Sequence, residues 1–365
     1  MGQSMTAQAP LMGVEEEYLL VDPATRATVP AAQRVVARAA GALGDQICHE
    51  ITLYQVEART PPCATHAELL WELRRMRREV ATAARTEGVR LAALGSPVLG
   101  ARMPPPRTPG DRYTEGCELY GTLNDEQAIC AMHVHIEVPD REAALLAGNH
   151  LRPWLPVLIS MAANSPYWAG RDTGHASYRT LVWGRWPVAG PPPYFGSLAD
   201  YEELVAALLD AGILLDTATI FWDVRPSRHL PTLEVRAADV PLVVADTALI
   251  AVLVRGLVGT ALAAIGSGDF GPEVSPVLLR AAYWRAARDG LAGQGLDPVT
   301  GQAKAAPDLV RAMGGCAQPA LVEYGDLDCV ITGVRRLLAA GNGAIRQRAA
   351  FARGGLAAAV DEAIL

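Results

Sequence analysis

The chain has 365 residues, half of them hydrophobic and 19% charged, a length and mix that support a sizeable buried core in an ordinary globular protein. Its net charge of −7 argues against a general polyanion binder, so no nucleic-acid partner is expected. The six cysteines form no C-x-x-C pair and no zinc spacing, which fits reduced thiols of a cytoplasmic protein and not a disulfide framework.

Residues 1–10 read as a flexible tail without the basic-then-apolar pattern of a signal peptide. No repeat or linker interrupts residues 11–365, which read as one domain. Gly13 to Pro23 predicts a strand, because Val14, Tyr18, Leu20 and Val21 favour a pleated surface and Asp22-Pro23 stops it. Residues two apart on a strand share a face, so Glu15 and Glu17 point one way and Val14, Tyr18 and Leu20 the other. Two carboxylates about 6.6 Å apart repel by roughly 2.5 kcal/mol at an effective dielectric of about 20. A cation between them would reverse that sign. Taken alone, however, the pair is an ordinary solvated strand face.

Pro30 to Leu43 is helix-compatible, and His49 to Thr60 predicts a second strand with Gln55, Glu57 and Arg59 on one face. Pro61-Pro62 ends it. Thr65 to Glu87 carries the clearest helical period, with Leu69, Leu73, Met76, Val80 and Ala84 inward and Thr65 and Glu68 placed as a capping box. Arg74, Arg75, Arg77 and Arg78 are expected on its solvated outside. Leu91 to Gly95 reads as a short strand and Asp111 to Leu123 as helical. Ala131 to Val138 alternates strictly, placing His133, His135 and Glu137 on one face and Met132, Val134, Ile136 and Val138 on the other.

A largely helical section, Arg141 to Ala163, leads into Gly170 to Gly196, an expected loop rich in arginine and aromatic residues. Such a length of loop is unusual in a compact domain unless it does something. Tyr201 to Leu209 is helical, and Thr232 to Arg236 is another alternating strand with Glu234 and Arg236 on one face. From Val240 onward the chain is mainly helical. Its most apolar window, Val240 to Gly266, is broken by Asp246 and Arg255, which predicts a buried helix and no membrane span. Gly266 to Gly271 matches G-x-G-x-x-G but follows a helix, so it reads as a turn. The apolar C-terminal helices could bury a homodimer face.

Four strands thus carry apolar residues on one face and glutamate, histidine or arginine on the other, with no lysine among them. Glutamates with histidine offer hard ligands suited to Mg²⁺ or Mn²⁺. Arginines beside such metals suit a phosphoryl group or a carboxylate through bidentate pairing. The set points to ATP-dependent phosphoryl transfer on small-molecule substrates, although no Walker A sequence is present. A metal-dependent hydrolase using His133, His135 and the glutamates is the competing reading, and a non-catalytic nucleotide-binding relative is a third.

Several stretches together resemble the carboxylate–amine ligases of the glutamate–cysteine ligase type 2 family. They include Gly13-Val-Glu-Glu-Glu-Tyr18, Gln55-Val-Glu57, His133-Val-His135, Ala176-Ser-Tyr-Arg179, Trp222-Asp-Val-Arg225-Pro-Ser227 and Thr232-Leu-Glu-Val-Arg236. Trp284 to Leu291 and Asp297-Pro-Val-Thr-Gly301 extend the match. The resemblance implies an α+β, glutamine-synthetase-like fold, a curved antiparallel sheet backed by helices around ATP, metal and substrate. It implies that ATP phosphorylates a carboxylate and that an amine attacks the acyl phosphate, as in the often weak joining of glutamate to cysteine.

By the same resemblance, Glu15, Glu17, Glu57, His135 and Glu234 are metal ligands, and Glu17, Glu57, His133 and His135 meet the nucleotide. Arg179, Arg225 and Arg236 are the catalytic arginines on substrate or phosphate, whereas Trp222, Asp223 and Pro226 read as shaping a turn. Two residues depart from the family pattern. Leu53 stands where some members carry an acidic residue, and Glu137 where many have glycine.

Overall fold

A seven-stranded sheet is the frame of the computed structural model, which describes residues 9–365. Of the tail expected over residues 1–10, all but Ala9 and Pro10 lies outside the described residues. The strands are β1 (Met12–Val21), β2 (Ile47–His49), β3 (Gln55–Arg59), β4 (Arg90–Ala92), β5 (Ala131–Glu137), β6 (Val224–Pro226) and β7 (Thr232–Asp239). Their order is β6-β7-β5-β1-β3-β2, every neighbour pair is antiparallel, and β4 takes up the end of β1 that β5 leaves free. The strand expected over His49 to Thr60 is two strands, because Glu50 to Tyr54 leaves the ladder between β2 and β3.

One face of this sheet is apolar for the reason that the alternation gives. Val14, Tyr18 and Leu20 of β1, Val56 and Ala58 of β3, Met132, Val134 and Ile136 of β5, and Leu233 and Val235 of β7 all join the buried core. Behind them lie the helices His66–Thr86 and Val244–Ile265. The second of these is long and apolar enough to cross a membrane by composition, but here it is the core helix. Its two charges are paired, Asp246 with Arg336 and Arg255 with Asp326.

Two expectations need correction. Arg77 does not cover the outside of its helix: it is 6% exposed and forms a bidentate pair with Glu16, which is fully buried on the core face of β1. Tyr18 donates to Glu16 and Thr247 joins the same carboxylate, so the pair is hydrogen-bonded on every side. The segment Gly170 to Gly196 is not all loop. It contains the helix Tyr178–Trp183, capped by Ser177, and Arg179 is buried in that first turn.

Candidate functional site

The opposite sheet face carries the polar set. Antiparallel register places Glu15 of β1 beside His133 of β5, Glu17 beside Glu57 of β3, and His135 beside Glu234 of β7, which in turn faces Arg225 of β6. A β-bulge in β7 adds one residue between Val235 and Ala238, so Glu234 and Arg236 stay on the site face while Ala238 returns to the core opposite Met132.

Contacts knit the row together. His133 Nδ1 lies 2.8 Å from Glu15 Oε2 and its Nε2 3.7 Å from Glu17 Oε1. His135 Nδ1 meets Thr232 Oγ1 at 3.0 Å, leaving Nε2 3.5 Å from Glu15 Oε1. The Ala131 amide donates to Glu17 Oε2 at 2.7 Å. Arg225 grips Glu234 with Nε at 2.8 Å and Nη2 at 3.2 Å and gives Nη1 to the Ile220 carbonyl, so each of its three nitrogens is engaged. Arg236 also pairs with Glu234 but keeps its Nε unpartnered. Arg179 donates to the Arg236 and Ala237 carbonyls at the bulge, and its Nε too has no partner.

The ionisation of these groups divides along the sheet. Burial opposes the charge on Glu15, yet the hydrogen bonds and charges of His133 and His135 hold its carboxyl well below the usual range. Burial likewise opposes Glu234, and Arg236 and Arg225 hold it far down. Glu17, Glu50 and Glu57 go the other way. Burial pushes all three up, and neighbouring carboxylates add to it, Glu50 on Glu17 and Glu15, Glu50 and Glu17 on Glu57. Burial and the Arg236 charge lower His133, whereas Glu15 and Glu234 raise His135 against burial.

This donor set fits divalent cations. Three trios bring one ligand atom per residue within 4.8 Å of each other: Glu15/Glu57/His133, Glu15/His135/Glu234 and Glu17/Glu50/Glu57. They overlap at Glu15 and Glu57, and both histidines keep Nε2 buried without a hydrogen bond. Buried nitrogens with no partner, beside carboxylates that repel each other, are what a bound cation would relieve. The ligand atoms are mostly carboxylate oxygens, which suit a hard divalent cation.

A cavity of about 170 Å³ opens over the Glu15/Glu57/His133 and Glu17/Glu50/Glu57 trios and is lined as well by Arg179, Arg236, Trp183 and Phe221. Beside it, a larger opening of about 630 Å³ runs over Gly13, Glu15, Arg59, Pro61 and His135, with Glu137 at its rim. Glu137 is exposed and one of its oxygens accepts from the Leu11 amide. The third opening, of about 500 Å³, lies behind Arg179.

The sequence-expected site residues therefore share one sheet face, except Arg179, which approaches it from the helix Tyr178–Trp183. Glu50 was missed, because it sits in the irregular link between β2 and β3 where no alternation marks it. Leu53, three residues later, packs on the core. Asp223, expected to shape a turn, is 3% exposed and also lines the third opening.

The family model for glutamate–cysteine ligase family 2 matches residues 11–362. A chain from Nocardia farcinica, provisionally named glutamate–cysteine ligase 2-1, is 45% identical over 94% of this chain and 89% of its own length. One from Mycobacterium sp. (strain KMS), provisionally named glutamate–cysteine ligase 2-2, is 45% identical over 98% of each. Among solved structures, a bifunctional glutathione synthetase from Pasteurella multocida aligns with TM-score 0.70 at 14% identity, covering 98% of this chain and 52% of that one. A glutamate–cysteine ligase from Francisella tularensis, solved with AMP, aligns with TM-score 0.66 at 12% identity over 97% of this chain and 87% of its own. At such low identity these likenesses speak for the fold alone, and that fold is the glutamine-synthetase-like one expected.

Proposed function

The chain belongs to glutamate–cysteine ligase family 2, and from that premise we propose that it is an ATP-dependent carboxylate–amine ligase making γ-glutamylcysteine or a close analogue. The observation that carries the reading is the overlapping cation trios, of which Glu15/Glu57/His133 and Glu17/Glu50/Glu57 open to the same cavity as Arg179 and Arg236. Mg²⁺ or Mn²⁺ held there would supply charge neutralisation for the phosphates. Glu15, Glu17, Glu50, Glu57, Glu234 and the two histidines are the residues to hold it.

In this reading a carboxylate oxygen of the donor attacks the γ-phosphorus of ATP, and ADP leaves. The amine nitrogen then attacks the acyl carbon, phosphate leaves, and the nitrogen loses its proton. Arg236 and Arg179 each have an unpartnered Nε at the cavity wall, suited to the charge on the transferring phosphoryl group. Arg225 acts through Glu234, which it grips with two nitrogens, and it does not line the cavity itself. Trp183 and Phe221 line the cavity with apolar surface, which limits water that would hydrolyse an acyl phosphate. Residues 11–365 act as one ligase domain in this reading, supported by a core cluster running from Met12 to Ala363. Six free thiols accord with a reducing cytoplasmic setting.

The test is ADP release with Mg²⁺ across pairs of amino acids and amines, glutamate with cysteine first. Release that requires both partners, with amide product in the same amount, supports the ligase. Hydrolysis without nucleotide would favour a metal-dependent hydrolase instead, and nucleotide binding without turnover a non-catalytic relative.

A further inference from the structure

Glu57 belongs to both trios that open to the cation cavity, so the direction of its carboxylate bears on two cation positions at once. The pairing of β2 with β3 puts Cys48 directly opposite Glu57, and residues so paired share a sheet face. The Cys48 thiol donates to Glu57 Oε1, with Sγ at 3.2 Å. Arg59 Nε stops 3.8 Å from the same oxygen, and Arg59 gives its Nη2 to the Asp45 carbonyl. Cys48 does not line the cavity, so it stands behind this ligand and not among the ligands.

The same contact spans the irregular link that carries Glu50. Thr108 holds the backbone of that link, its hydroxyl donating to the Glu50 carbonyl and its amide to the Ile51 carbonyl. Glu50 Oε2 takes the Ile51 amide at 3.1 Å. The Cys48–Glu57 bond ties the strand before the link to the strand after it. The kind of donor matters as well. A lysine or arginine at position 48 would hold Glu57 by cancelling the charge that a cation uses. A thiol is neutral and a weak donor, so it aims one oxygen and leaves the second, with the charge, to the cations.

We propose that Cys48 is a positioning residue of the cation site, whose S–H bond to Glu57 Oε1 sets the carboxylate that two trios share. The proposal deepens the ligase reading, because it concerns the cations of that site, but it requires only that Glu57 ligates them. It also gives one of the six free thiols a task that is neither nucleophilic nor metal-ligating.

Metal binding tests it without turnover. Mn²⁺ is titrated into the full chain as wild type, Cys48→Ala and Cys48→Ser, with free Mn²⁺ read by electron paramagnetic resonance. Cys48→Ala should weaken Mn²⁺ by about tenfold, and Cys48→Ser, which keeps a donor on a shorter bond, by about threefold or less. Both side chains are smaller than cysteine, so rescue by serine alone separates aiming from packing. In the metal-free protein, infrared difference spectra of wild type against Cys48→Ser isolate the Cys48 S–H stretch. It should lie below that of an unbonded thiol and move up in Glu57→Gln, where the acceptor is neutral. That reading does not depend on the alanine variant folding. Equal Mn²⁺ affinity in wild type and Cys48→Ala, equal losses in both variants, no Mn²⁺ binding by wild type, or an unbonded S–H stretch would overturn the proposal. A loss confined to Cys48→Ala in a protein that forms no amide would uphold the positioning role and reject the ligase reading. Amide formation with Mn²⁺ affinity untouched by Cys48→Ala would do the reverse.

Discussion

Glu17 is the residue on which the site reading bears most directly. It belongs to one cation trio and lies 3.7 Å from His133, and the Ala131 amide fixes its other oxygen. Glu17→Gln keeps an oxygen for that amide and removes one buried charge. The fold should therefore persist while ADP release falls at least about 100-fold, as read by coupled assay and thermal melt on one preparation. The same carboxylates set a pH dependence. Glu17, Glu50 and Glu57 are raised above their usual 4.5, so their contribution to stability is complete below that value and is lost as pH rises through their folded values. Glu15 and Glu234, both lowered, act in the opposite sense and only on the acid side. Above the ordinary carboxylate range the three raised groups dominate, and a cation offsets their repulsion. The rise in melting temperature on adding Mg²⁺ should be larger at about pH 8 than at about pH 5, with protons released on binding; an equal rise at both would separate the cation from these glutamates.

Elements, more than single residues, were legible in the sequence, and the errors show why. Period-two alternation placed β1, β5 and β7 with their faces assigned correctly, since each strand has one apolar side and a slip would turn it inside out. Glu50 and Asp223 escaped because they stand just outside regular strands, where no period applies. Arg77 was misplaced for a different reason: four arginines on a helix read as a solvated face. The signal lay elsewhere, in Glu16, which shares its strand face with Val14 and Tyr18 and so needs a buried partner. Its partner comes from the helix His66–Thr86, and Arg77 also donates to the Pro241 and Leu242 carbonyls leading into the core helix. Arg77→Ala leaves a fully buried carboxylate and two carbonyls uncompensated. Urea denaturation should show a loss of about 3–5 kcal/mol, and a change below about 1 kcal/mol would mean that the pair behaves as a surface bridge.

Across the whole molecule, the C-terminal helix Gly343–Asp361 is tied to the site through Asn164, a connection that no local pattern in the sequence could announce. Asn164 is fully buried. Its amide donates to Asp239 at the end of β7, and its side chain donates to the Ala93 and Val240 carbonyls. Asp239 also accepts from Ser165 and from Ser177, the cap of the helix that carries Arg179. One carboxylate thus sets the strand bearing Glu234 and Arg236 and the helix bearing Arg179. Gly343 lies directly against Asn164, and a Cβ there would overlap its Oδ1, Cγ and Cβ, none of them free to retreat. Gly343→Ala must push either the C-terminal helix or Asn164 aside. A stability loss of about 1–3 kcal/mol is expected, and because the displaced contact runs to Asp239, ADP release should fall in the surviving folded fraction as well. Gly41→Ala supplies the contrast. It lies on an exposed helical turn with open space around it, and should raise stability by about 0.5–1 kcal/mol with no effect on rate. If Gly343→Ala lost stability but kept its rate, the C-terminal helix would support the fold without setting the geometry of the arginines.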